Sequence, residues 1–371
     1  MEIKINKGTL NAGMNKVIRA ISSKTVIPVL SGVKLSVANE QLELIGSDSN
    51  ISISTVVTED LTIVSEGGVV LPAKEFSSIV KALPDGEVHI KVVKEGQVEI
   101  KSKRSKFNLN GTDVNQYPKV KNKESEEIFT LDAEKLVGAI NKTIFSVAKM
   151  ETRPILTGVN FGNRNGYLTT VATDSHRLSR VVTDVEVDFE EEFTLPSSAL
   201  KEITGIFKSG EITVSSSKNN VSFEDEDTVV IARLMNGNYP ETDRLIPSGG
   251  ETTMKVDRSS FLASLERSRI LAQNDKTVTF EISDENAGIF DTVKLEQTSP
   301  ELGVSTEDIM VTEIDGEELT ISFNADYAIE ALKSIDGEEV VFTFNGRMKP
   351  FVITDSDDPS VLQLILPVRR Y

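Results

Sequence analysis

The chain has 371 residues, 39% of them apolar, and a formal net charge of −18, which suits two or three packed domains better than one. It contains no cysteine, so disulfides, thiolate catalysis and cysteine-based zinc sites are excluded. No apolar run approaches the roughly 20 residues that a membrane-spanning helix needs.

The N-terminus, Met1-Glu2-Ile3-Lys4-Ile5-Asn6, alternates as a strand does and lacks the apolar core of a signal peptide. A soluble, cytoplasmic protein is therefore expected, without a membrane partner. That strand runs through a polar turn into apolar residues at helical spacing, from Leu10 through Met14 and Val17. Near residue 70 a second strand enters a short amphipathic helix, Val70-Leu71-Pro72-Ala73 onward to Leu83. Pro72 falls where a first helical turn tolerates proline. Alternating segments from Glu87 to Ile100 follow, with Asp85-Gly86 and Glu95-Gly96 as tight turns.

The pattern then begins again. Phe129-Thr130-Leu131-Asp132 leads into apolar residues from Leu136 to Ile144, and Thr194-Leu195-Pro196 opens a helix that reaches Phe207. A third copy starts at Met254-Lys255-Val256-Asp257 and continues through Phe261 and Leu265. Its second half runs from Ile321-Ser322-Phe323-Asn324 into Leu332, then through strands to Ile353 with a turn at Asn345-Gly346. A period of about 125 residues means duplicated domains, since solenoid repeats are far shorter. The expected fold is α+β, three similar tandem domains of two strand–helix–strands units each, spanning 1–125, 126–249 and 250–371.

Charge is unevenly distributed along this plan. Lys7, Lys16 and Arg19 mark the first helix, Lys74 and Lys81 the second, and Lys135, Lys142, Lys149, Lys201 and Lys208 the helices of the middle third. Arg258, Arg267 and Arg269 follow in the last third. Together the helical segments come to about +6, which leaves about −24 for strands and loops. Such segregation suits a protein that presents cationic helices to a polyanion and repels it elsewhere; solvated helices of a protein-binding adaptor would look similar. No helix-turn-helix, P-loop or aromatic RNA-binding strand is present, so phosphate contact without base readout is expected.

Val171-Ala172-Thr173-Asp174-Ser175-His176-Arg177-Leu178 makes the sequence recognisable. With Thr25-Val26-Ile27-Pro28-Val29-Leu30, Asn238-Tyr239-Pro240 and the ending Leu366-Pro367-Val368-Arg369, it resembles the bacterial sliding clamps, the beta subunits of DNA polymerase III, over its whole length. The resemblance implies a DNA clamp fold, with helices lining the hole and sheets outside in a ring closed by a head-to-tail dimer. It implies a non-catalytic, nucleoid-associated processivity factor that encircles duplex DNA without reading its sequence. Its partners would be a second copy of itself, the polymerase III alpha subunit, the clamp loader, and other polymerases and repair proteins that dock short hydrophobic peptides.

Carried over by position, the resemblance places that peptide pocket at Leu156, Thr173, Ser175, His176, Arg177, Leu178, Pro240, Arg244 and Leu245. Met348, Pro350, Leu364, Leu366, Pro367, Val368 and Arg369 complete it. Apolar side chains form a groove, methionine adapts to varied ligands, and Arg177, Arg244 and Arg369 hold polar groups at its rim. Ser175 stands where members of the family often carry glycine. The basic run Lys101 to Lys106 precedes Phe107 and Leu109, which share one face of an edge strand open to pairing. By resemblance these two meet Ile270 and Leu271 of the partner subunit, while Lys103, Arg104 and Lys106 face acids such as Glu307 and Asp308. DNA contact is expected from Lys16, Arg19, Lys24, Lys81, Lys142, Lys149, Arg153, Lys201, Lys208 and Arg267. Pro154 and Ile155 follow Arg153 where some members have aromatic residues, which argues against base stacking there.

Asp174, Ser175 and His176 also hold the ingredients of a hydrolase triad. Placed on a strand, Ser175 would face away from both neighbours, and no nucleophile-elbow glycines surround it. Two isolated histidines, His89 and His176, make no transition-metal site. Neither a cofactor nor a metal is expected.

Overall fold

The structure is a computed structural model. It describes every residue except 23, 95, 120–125, 151, 272–275, 284–291, 300 and 370–371. Six α-helices are described: α1 (Lys7–Val17), α2 (Ala73–Ala82), α3 (Ala133–Asn141), α4 (Ser197–Ile206), α5 (Arg258–Ser268) and α6 (Ala325–Lys333). None of the described helices is long and apolar enough to cross a membrane.

Each helix forms for local reasons that recur along the chain. The polar turns are N-caps. Asn6 accepts from Gly8 N at 2.7 Å, Asp132 from Glu134 N at 2.7 Å, Asp257 from Ser260 N at 2.7 Å and Asn324 from Asp326 N at 2.9 Å. Such caps satisfy amide groups that helix starts leave without a partner. In α1 the buried residues are Leu10, Gly13, Met14 and Val17, in α2 Ala73, Phe76, Ser77 and Val80, and in α5 Phe261, Ser264, Leu265 and Ser268. All three follow the spacing i, i+3, i+4, i+7 that turns one face to a core. Pro72 differs by one position from its expected place: it ends a strand and caps α2 from outside, where its missing N–H costs nothing.

The chain packs into two compact units, residues 1–136 with 198–234 and residues 137–197 with 235–371. The first unit holds two antiparallel sheets. One has five strands in the order Leu61–Ser65, Glu2–Asn6, Glu87–Lys94, Gln97–Ser102 and Ser105–Asn110. The other has eight: Glu126–Asp132, Glu211–Ser216, Asn220–Glu224, Thr228–Arg233, Ile51–Val57, Gln41–Ser47, Gly32–Ala38 and Gly67–Pro72. Thr228–Arg233 pairs with Ile51–Val57 from Thr228↔Thr55 to Ala232↔Ile51, so strands of the first and middle thirds share one sheet. α1 lies against it so closely that a Cβ on Gly13 would stand 2.8 Å from Leu44 Cδ1.

The second unit holds a nine-stranded and a four-stranded sheet. The nine run Phe193–Pro196, Gly158–Arg164, Tyr167–Thr173, Arg177–Glu186, Val361–Ile365, Phe351–Asp355, Glu339–Phe344, Thr252–Asp257 and Glu313–Gly316. The four run Gly303–Met310, Thr292–Ser299, Thr277–Ile282 and Leu319–Asn324. Here strands of the middle and last thirds pair, from Arg177↔Ile365 to Val181↔Val361. Beneath them Phe261, Phe280, Phe342, Phe344 and Phe351 form a buried aromatic cluster with centroids 4.9 to 6.2 Å apart.

Two expected turns are built differently. Asp85-Gly86 joins α2 to the strand at Glu87 rather than strand to strand, and Gly86 takes φ +125°, open to glycine alone. Asn345-Gly346 opens a six-residue connection, 345–350, rather than a two-residue turn. The expected Glu95-Gly96 turn includes a residue outside those described.

Candidate functional site

The segment from Asp174 to His176 lies in the turn between the Tyr167–Thr173 and Arg177–Glu186 strands, not on a strand as expected. Asp174 Oδ1 accepts from His176 N at 2.9 Å and Arg177 N at 3.1 Å, closing the turn. Thr173 Oγ1 accepts from Ser175 N at 3.1 Å. Ser175 adopts φ +76°, a left-handed conformation that a side chain disfavours and glycine does not. Glycine at this position would adopt that geometry without a side-chain penalty. No hydrogen bond among the described residues links the Ser175 hydroxyl to the His176 ring, so these residues form no charge-relay chain.

This turn borders an apolar patch. Leu178 and Leu364 are neighbours in adjacent strands, and Val352 pairs with Leu364 on the other side. With Val171 and Leu362 they make one buried cluster, against which Tyr239 and Ile246 pack. The Tyr239 hydroxyl accepts from Thr173 N at 3.0 Å, and burial pushes its phenol well above the usual range. The chain end runs past the turn: Leu366 N donates to the His176 carbonyl at 2.9 Å, and Val368 N to the Ser322 carbonyl at 2.7 Å. Leu245, Met348, Leu366 and Val368 leave large apolar surface exposed. A buried apolar floor with exposed apolar residues at its margin can take a hydrophobic peptide.

Of the residues expected in this pocket, Thr173, His176, Leu178, Leu364 and Leu366 are brought together by these strand and backbone contacts. Pro240 and Leu245 come from the 239–246 segment that packs on the cluster. Ser175 sits exposed at the turn. Leu156 is buried in a separate 3-10 turn, Pro154–Thr157, where its carbonyl accepts from Ala148 N at 2.8 Å. Met348, Pro350, Pro367 and Arg369 are partly or fully exposed without a described hydrogen bond to the turn.

Of the three arginines expected at the rim, Arg177 departs from expectation. Arg244 is exposed and pairs with Glu241 at 2.9 Å. Arg177, expected at the rim, is only 3% exposed. Its Nε donates to Asp174 Oδ2 at 3.1 Å, its Nη groups reach Glu330 on α6 and the Phe145 carbonyl, and its guanidinium lies 4.5 Å from the Tyr327 ring centroid. A planar fork fits all these acceptors at once, so Arg177 ties the turn to α6 instead of facing a ligand. Sequence reasoning missed Val171, Val352, Leu362 and the Tyr239 ring. Leu362 and Leu364 share a strand face and are legible two residues apart; Val352 joins only through strand pairing.

The proposed edge is present. Ser105–Asn110 pairs only with Gln97–Ser102, and Gly303–Met310 only with Thr292–Ser299, so each leaves one side unpaired among the described strands. Phe107 is exposed and Leu109 half-buried on the first; Ile270 is 72% exposed, and Leu271 is partly buried beside it. Lys103 and Arg104 form the exposed turn before Ser105. Lys106 pairs with Glu99, whose carboxyl is lowered to about 2 by hydrogen bonds from Lys101 and Lys106. Glu307, named as an acid for a partner's lysines, already holds Arg267 of its own chain through contacts of 2.7 and 2.9 Å.

Among the cations expected to meet DNA, Lys24, Lys81, Lys149, Arg153 and Lys201 are exposed and hold no ion pair with a described residue. Lys208 donates to the Thr204 carbonyl at 2.6 Å. Lys16, Arg19, Lys142 and Arg267 each hold a carboxylate: Asp227 at 2.8 Å, Glu202 at 3.0 Å, Asp336 at 2.6 Å and Glu307 at 2.7 Å.

Comparison with known proteins accounts for this arrangement. Family models of the DNA polymerase III beta subunit match in chain order: the N-terminal domain over residues 1–121, the central domain over 130–241 and the C-terminal domain over 243–369. The beta sliding clamp of Bacillus subtilis is 35% identical and that of Staphylococcus aureus 37%, each with all of both chains covered. Crystal structures of the Bacillus subtilis DNA polymerase sliding clamp and of the beta subunit from DNA polymerase of Streptococcus pyogenes superpose with TM-scores of 0.94 at 34% identity, again covering both chains fully. The chain belongs to the family of DNA polymerase III beta subunits, the beta sliding clamps, whose role is processivity and not catalysis.

Proposed function

We propose that two copies of this chain join head to tail into a ring around duplex DNA and tether polymerases to it in the bacterial cytoplasm. The observation that carries the reading is that each unit holds a sheet ending in a strand with an open side, Ser105–Asn110 in the first and Gly303–Met310 in the second, in a chain whose three thirds all match the beta-subunit family. Edges of this kind invite a second chain. A heterologous contact of one with the other closes into a ring when the rotation permits. In this ring the three domains span 1–125, 126–249 and 250–371, helices face the hole and sheets form the wall.

The cationic helices then hold the duplex by its phosphates and read no base. The apolar patch around Leu178 and Leu364 takes a short hydrophobic peptide from the polymerase III alpha subunit, the clamp loader, or another polymerase or repair protein. Loading the protein onto nicked circular DNA with its loader and ATP tests the ring. It should remain on circles and run off once they are linearised; equal loss from both forms would leave a protein-binding adaptor as the better account. Removing residues 366–371 should abolish polymerase binding while the dimer persists. Undiminished binding would remove the groove assignment.

A further inference from the structure

Four of the ten cations proposed to face DNA already hold carboxylates of their own chain, and two of these pairs are visibly built. The Arg19 guanidinium reaches Glu202 by lying over Gly205, one turn along the same face of α4. A Cβ on Gly205 would stand 2.5 Å from Arg19 Nη1, so a side chain there would make the guanidinium shift. Lys16 Nζ donates both to Asp227 at 2.8 Å and to the Thr228 hydroxyl at 2.8 Å, and that hydroxyl donates in turn to Asp227. The remaining pairs, Lys142 with Asp336 and Arg267 with Glu307, lie in the second unit. Burial raises the Asp227 carboxyl, yet the hydrogen bonds from Lys16 and Thr228 leave it below its ordinary value; Arg267 lowers Glu307.

Binding to duplex DNA gains its free energy from small cations released when Lys and Arg neutralise phosphates. A lysine paired with a carboxylate brings almost no net charge to the duplex, and meeting a phosphate means sharing or breaking that pair. Fewer condensed cations are then displaced from the DNA, and the contact adds little affinity and little salt dependence.

We infer that Asp227, Glu202, Asp336 and Glu307 are resident counterions that limit how many phosphates the chain grips, keeping its hold on DNA loose. The inference rests on the proposal that the helices face DNA, and it adds a role for acids that the proposal leaves without one. Strong grip on many phosphates would oppose movement along the duplex; a ring retained by topology needs none.

The test is binding of a blunt 30-base-pair duplex to the dimer, followed by fluorescence anisotropy between 50 and 200 mM NaCl. The isosteric variant Asp227→Asn with Glu202→Gln should bind more tightly at 50 mM and lose affinity more steeply. Each freed cation that meets a phosphate adds about 0.9 to the log–log slope, so two enlarge the loss across this range roughly tenfold. Lys24→Ala with Lys81→Ala and Lys201→Ala serves as the control and should weaken binding and flatten the slope. If the control binds as the parent does, the helices do not face DNA, and both readings fall. If the control weakens while the amide variant keeps the parental slope, the resident-counterion reading alone is overturned. Should the double variant not fold, Asp336→Asn alters a carboxylate that is 82% exposed and frees Lys142. It carries the same expectation at half the size, and an unchanged slope there overturns the inference equally.

Discussion

Ser175 and Arg177 sit two residues apart in one turn and obey opposite constraints. Ser175 is exposed and held at φ +76°, where a branched side chain clashes with its own backbone. Ser175→Gly should therefore leave stability unchanged or raise it slightly, while Ser175→Val should cost about 1–2 kcal/mol; urea denaturation of the three proteins side by side decides this. Arg177 is constrained by its partners. Removing its side chain leaves Asp174 Oδ2 and the Phe145 carbonyl without that donor and strips a guanidinium from the Tyr327 ring. Arg177→Ala should destabilise the second unit by about 3 kcal/mol, and Arg177→Lys should recover little, since a point charge cannot serve four directions. A melting temperature equal to the parent's would show that the strut carries no stability. The residues of this turn were legible in the sequence as a group, but their roles were not. Backbone sign at Ser175 and the distance from Arg177 to Glu330, 153 positions along the chain, leave no mark on local pattern.

Helices and strands were the most legible scale. Caps at Asn6, Asp132, Asp257 and Asn324 and the apolar spacing of α1, α2 and α5 are local properties, and local properties repeat when a domain is duplicated. Pairing between elements was less accessible. The sequence marks Ser105–Asn110 as an edge through the alternation of Phe107 and Leu109, whereas the open side of Gly303–Met310 emerges only from the strand order of its sheet. The ion pairs of Lys16, on α1, and Arg19, in the 3-10 turn that follows it, show the same limit: both look unopposed in their own segment, and their acids lie 211 and 183 residues away. Ile270 is the element-scale test of association. Its side chain is largely exposed in the single chain and contributes little to folding, so Ile270→Ala with Leu271→Ala should stay folded by circular dichroism yet sediment as a monomer, melting lower only by what dimerisation and the partly buried Leu271 contribute. An intact dimer at micromolar concentration would place the interface elsewhere.

For the whole molecule, three repeats in sequence have become two units in packing, because both large sheets run across a boundary between thirds. Glu126–Asp132 and Glu211–Arg233 belong with the first third, and Gly158–Pro196 with the last. Native-state hydrogen exchange should reflect this division. Protected amides of the middle third should fall into two groups, one opening with Ile51–Val57 and the other with Val361–Ile365. A single opening free energy for the whole middle third would instead favour three independent domains. The unpaired edges carry a further consequence for any engineered form. A head-to-tail contact is agnostic about closure: the two strands proposed to complete a circle after a fixed number of copies would, at a slightly different rotation, wind an endless helical filament. Insertions that alter the pitch between the ends should therefore be judged under the electron microscope for fibres as well as by replication assays.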